Sequence, residues 1–169
     1  MLVEIGVIFL LILLNGFFAM SEIALGSARK VRLEQRAAEG DKGAQNALEL
    51  TKSTNKFLSA VQVGITLIGV LTGALGGATL AARISVGLSQ IPWLAPYAYG
   101  VSLALVVLAT TYFSLVIGEL IPKRLGMNNP EKIASSVAGV MRFISWVTAP
   151  IIKLLSVSTD LGLRLLGAR

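Results

Sequence analysis

The chain has 169 residues, 54% of them hydrophobic and 14% charged, with a mean hydropathy of +0.77. Soluble domains average about 25% charged residues, so this chain is too apolar for one, and its charges crowd into a few segments separated by long uncharged stretches. The net charge of +6 does not mark a nucleic-acid binder, because the Lys and Arg residues flank apolar runs and do not interleave with aromatics. Neither Cys nor His occurs, which excludes disulfides, thiolate catalysis and the nitrogen and sulfur ligand sets of zinc, copper and iron. Any metal site has to be built from oxygen.

In chain order, residues 3–25 carry only Glu4 and Glu22 as charges and are long enough for a first membrane span. A cleaved leader is not expected: no basic segment precedes the apolar run, and Glu22 stands where a small-residue cleavage site would lie. Composition then flips. Residues 29–56 mix basic and acidic side chains with Ala, Gln and Leu, and read as polar helices joined near Glu39-Gly40-Asp41-Lys42-Gly43 at the membrane surface. Residues 57–82 hold no charge and form the second span, and Pro92, Trp93, Pro96, Tyr97 and Tyr99 mark an interfacial turn. The third span covers residues 97–121.

The last stretch reads two ways. Residues 133–152 are apolar but divided by Arg142, broken at Pro150 and followed by Lys153. Because Lys132, Arg142, Lys153, Arg164 and Arg169 recur along it, helices lying in the interface plane are expected, with a fourth crossing as the alternative. The expectation is therefore an all-α membrane protein, a single domain over 1–169, with three transmembrane helices and cytoplasmic-side juxtamembrane helices over about 28–56 and 130–167. The basic 29–56 connector and Lys123-Arg124 place those segments inside, the amino terminus outside and the carboxyl terminus in the cytoplasm. Leu165-Leu166-Gly167-Ala168-Arg169 carries no closing feature, so the sequence reads as part of something longer.

Three stretches carry chemistry. In Asn15-Gly16-Phe17-Phe18-Ala19-Met20-Ser21-Glu22, an amide, a hydroxyl and a carboxylate interrupt a lipid-compatible helix; such groups usually face a partner or a cavity, although Glu22 could also snorkel to water at the helix end. In the second span Gly69, Gly73 and Gly77 recur every four residues beside Thr66, Thr72 and Gly76, a pattern that lets backbones approach closely. Helix packing is its first meaning, and an oxygen-lined ion site is a second. In Gly118-Glu119-Leu120-Ile121-Pro122-Lys123, Pro122 lacks an amide hydrogen and crowds the carbonyl four residues earlier, so Gly118 is expected to lose its helical partner beside a carboxylate. A free carbonyl at membrane depth needs protein, water or an ion. The plain alternative is Glu119 paired with Lys123 or Arg124 at a helix end. Carboxylate, hydroxyl and carbonyl oxygens together suit a hard cation such as magnesium.

On these residues the sequence resembles the transmembrane domain of the CorC and cyclin M family of magnesium transporters. The motifs are the Asn15–Leu25 stretch, Val63-Gly64-Ile65-Thr66-Leu67 through Gly76-Gly77, and Gly118 through Lys123. The resemblance implies three crossings, a belt of juxtamembrane helices, a homodimer, and magnesium export with sodium as the driving ion. It also implies an ATP-binding pair of CBS modules in a full-length chain, which is expected to be missing here. Carried onto matching positions, it favours Ser21, Glu119 and the backbone around Gly69 and Pro122 as the ion site. The expected metal set is then Ser21, Thr66, Gly69, Gly118, Glu119 and Pro122, with Asn15, Glu22, Thr72 and Lys123 lining a cavity open to the cytoplasm. The basic connector is expected to meet anionic lipid. A non-transporting scaffold or magnesium sensor is the rival reading. An enzyme is not expected, because no His, Cys or paired catalytic carboxylates share a motif.

Overall fold

A computed structural model describes residues 2–165, all of whose regular elements are helical. Helix α1 (Leu2–Ser27) is followed by α2 (Lys30–Ala38), α3 (Lys42–Lys52), α4 (Thr54–Leu75), α5 (Ala81–Leu88), α6 (Ala98–Leu115), α7 (Ile121–Asn128) and α8 (Pro130–Leu165). The π-helical turn Gly76–Leu80 joins α4 to α5, and a second, Val116–Leu120, joins α6 to α7. Each junction therefore continues a helix instead of ending it.

Four helices among the described residues are long and apolar enough to cross a membrane by length and composition: Leu2–Ser27, Thr54–Leu88, Ala95–Asn128 and Pro130–Leu165. Three were expected. The additional one is α8, which runs 36 residues with Pro150 inside it. Pro150 does not break the helix as expected, because one missing amide costs a single hydrogen bond while regular turns continue on both sides. Residues 166–167 of the expected 130–167 helix lie outside the described residues. The second and third expected spans also lengthen, the third passing through Pro122, where the π turn widens the backbone just before the proline ring.

The chain divides into two compact units. The first joins residues up to Met20 with Gly64–Asn128. Its helices meet at small residues. A Cβ on Gly16 would lie 2.9 Å from Pro122 Cγ and 3.2 Å from the Ile117 carbonyl, one on Gly118 would lie 3.1 Å from the Ile12 carbonyl, and one on Gly76 would lie 3.2 Å from Val106 Cγ1. Glycine at these positions is what lets the backbones approach. Arg83 of α5 pairs with Glu4 of α1 at 2.8 Å, which compensates an otherwise costly carboxylate in an apolar helix.

The second unit joins Ser21–Val63 with the residues from Asn129 onward. Here α2 and α3 form a hairpin around Gly40, whose φ of +94° suits a residue without a side chain. Asp41 caps α3 by accepting from the Ala44 amide at 3.1 Å, and its other oxygen accepts from Arg36 Nη2 at 2.9 Å and Nε at 3.1 Å. The α3 face carrying Ala44, Ala47 and Leu50 is buried, as is the α8 face carrying Ala134, Val137, Ala138 and Met141. Gly43 lies so close to the Ser135 carbonyl that no side chain fits between them. Arg142, read from the sequence as a divider of α8, donates to Asn46 Oδ1 at 2.9 Å and pairs with Glu49 at 2.8 Å, both on α3.

Candidate cation site

Within the first unit the sequence-predicted residues Asn15, Gly118, Glu119, Pro122 and Lys123 come together. Pro122 has no N–H for the Gly118 carbonyl, and the preceding turn is π-helical, with the Ile121 amide bonding the Val116 carbonyl five residues back. The Gly118 carbonyl finds its partner in protein: Asn15 donates Nδ2–H to it at 3.0 Å. Asn15 therefore acts on the backbone of the third candidate span, where the sequence had left open whether it faces a partner or a cavity. Gly16, one residue on, supplies the space that brings α1 against Pro122.

Glu119 projects from the same π turn, and its Oε1 accepts from Lys123 Nζ at 2.7 Å; the two side chains are 40% and 35% exposed. The ion pair read as the plain alternative is thus present, beside the carbonyl that Asn15 holds. Arg124, the other cation considered, is exposed. Among the described residues no three Asp and Glu side chains gather as a metal-binding group. Glu119 would accordingly be a lone charged ligand, with neutral oxygens and water completing a cation's shell.

The glycine stripe forms a different feature of the same unit. Gly69, Thr72, Gly73, Gly76 and Gly77 line one wall of a groove of about 270 Å³, and Val106, Thr110, Thr111 and Ser114 of α6 line the other. Thr72 is buried, whereas Thr66, Gly69 and Gly73 are exposed. A Cβ at Gly69 or Gly73 would meet nothing within 4 Å. Neither Thr66 nor Glu119 lines this groove. Ser21, fully buried, and Glu22, half-buried, belong to the second unit. The Glu4–Arg83 pair escaped the sequence reading; its one available signal was a lone carboxylate near the start of an apolar helix.

Comparison with known proteins bears on the whole length. Residues 6–168 match the cyclin M transmembrane N-terminal domain family. The chain is 56% identical over 164 residues to the UPF0053 protein sll0260 of Synechocystis, a match covering 97% of this chain and 37% of that protein. It is 33% identical over 152 residues to the polyamine export protein of Escherichia coli K12, covering 90% of this chain and 34% of the relative. It is 30% identical over 168 residues to the UPF0053 protein YhdT of Bacillus subtilis, covering 99% and 36%. The chain thus spans roughly a third of the length of the curated relatives it matches. With its apolar helices and these motifs, the chain belongs to the cyclin M transmembrane domain family.

Proposed function

We propose that this chain is the membrane-embedded transport domain of a bacterial inner-membrane protein that exports magnesium, coupled to sodium, by alternating access around Glu119. The observation that carries the reading is the π turn Val116–Leu120, which presents a carboxylate beside a buried backbone carbonyl where an apolar helix widens. Irregular backbone at such depth is tolerated only where it is buried in protein or lines a cavity. Glu119 supplies the charge, backbone oxygens around Gly118 and Pro122 are the neutral ligands, and Asn15 and Lys123 line the path. The amino terminus lies outside, and in a full-length protein a homodimer and ATP-binding CBS modules regulate the cycle.

A second cargo, a linear polyamine, is favoured by two observations. One is the name of the Escherichia coli relative, a polyamine export protein. The other is that Glu119 already accepts a primary ammonium at 2.7 Å, the chemistry of a polyamine end. Flux from proteoliposomes holding the full-length protein separates these readings. Magnesium efflux abolished by Glu119→Gln supports the magnesium exporter. Polyamine efflux without magnesium efflux, lost in Glu119→Gln, moves the cargo to polyamine. Magnesium-dependent thermal stabilisation with no flux of either returns the scaffold or sensor reading.

A further inference from the structure

We propose that Lys123 is a tethered competitor at Glu119: its ammonium holds the carboxylate when no cargo is bound, and a transported cation has to displace it. The proposal rests on the reading of Glu119 as the carboxylate that binds the cargo. Pairs four residues apart are ordinary on exposed helices, so spacing alone carries nothing. Here Glu119 stands in the π turn and Lys123 in α7, on the far side of Pro122, and Lys123 Nζ approaches Glu119 Oε1 to 2.7 Å. The adjacent Gly118 carbonyl is itself engaged by Asn15. Glu119 Oε1 and the Gly118 carbonyl, neighbours in the turn, are thus each met by a donor from the chain.

A magnesium ion binds carboxylate oxygen at about 2.0–2.1 Å. An ammonium hydrogen-bonded to that same oxygen would then hold a like charge only a few ångströms from the ion. Repulsion between the two like charges on one carboxylate opposes joint occupancy, so binding proceeds as an exchange. Lys123 is suited to it, being about one-third exposed on a flexible four-carbon stem that can swing to water. After release the ammonium returns, and Glu119 does not stand as an uncompensated carboxylate while the empty protein reorients. Exchange also selects by charge. A monovalent ion gains no advantage over the ammonium it must remove, whereas a divalent ion or a polyamine does.

The test uses the full-length protein with magnesium chloride as the probe, reading Kd by thermal shift and efflux from proteoliposomes. Lys123→Met should tighten magnesium binding about fivefold, the order expected when a partly exposed ion pair no longer competes. It should also slow efflux at saturating magnesium and raise inhibition by sodium or potassium. Lys123→Gln, which keeps a polar donor but no charge, should tighten binding similarly and guards against a folding defect in the first variant. Unchanged or weaker binding in both, with Glu119→Gln still abolishing binding, overturns the competitor and leaves the site standing. Binding by Glu119→Gln equal to that of the parent overturns the site and the competitor together.

Discussion

The two compact units hold their helices with a different balance of the same means. In the second, ion pairs and capping bonds join the elements: Arg36 with Asp41, Arg142 with Glu49 and Asn46, and Glu131 with the Arg29 amide at 3.3 Å. All but three of the chain's 15 Lys and Arg residues belong to it, the exceptions being Arg83, Lys123 and Arg124. The first unit has little charge and closes through glycine contacts, with Glu4–Arg83 and Glu119–Lys123 as its ion pairs among the described residues. The difference follows from the surroundings each sequence suits. Polar helices such as α2 and α3 can be tied by charge, whereas helices suited to lipid gain nothing from apolar burial and rely on close backbone approach. A charge kept in such a region is therefore a marker of work to be done.

The comparison is broken most directly at its tightest glycines. Gly43→Ala should cost the second unit about 3 kcal/mol, because the new methyl overlaps the Ser135 carbonyl, a backbone atom that cannot rotate away. Gly16→Ala in the first unit should cost about 2 kcal/mol, since Pro122 and the Ile117 carbonyl can yield only slightly. Thermal unfolding followed by circular dichroism ranks the two. An unperturbed Gly16→Ala would mean that α1 does not pack on Pro122 as described.

Asn15→Ala is the next smaller effect, about 1 kcal/mol, because a buried carbonyl at membrane depth loses its donor. Asn15→Asp should be worse than Asn15→Ala at neutral pH, as a carboxylate facing the Gly118 carbonyl offers no hydrogen to donate. In the second unit, the Ala44 amide foremost, and Arg36 after it, hold the Asp41 carboxyl below its usual range. A depressed native value stabilises the fold above the unfolded one, so this contribution is full above about pH 5 and fades as acid titrates Asp41. Asp41→Asn should flatten that part of the pH profile of unfolding. Smallest of all, Gly69→Ala should change stability by less than about 0.5 kcal/mol, since its Cβ meets open space and alanine favours helix. A large loss there, with loss of dimer in cross-linking, would show a second copy covering the stripe.

Sequence alone determined the membrane class, the polar connector and the three motif stretches, because each rests on composition or on a period the chain cannot hide: long uncharged runs, mixed charge, glycine every fourth residue. It also marked Pro122 as the place where a carbonyl is freed, which depends only on a missing amide hydrogen. Tertiary structure decided what that carbonyl does. Asn15, 103 residues away in sequence, answers it, and no local pattern encodes a partner so distant. Structure likewise decided that Arg142 is met by α3 and that α8 continues through Pro150, both of which local rules read as interruptions. A charge or a proline states a cost in sequence; only the neighbours that folding brings to it determine whether that cost is met.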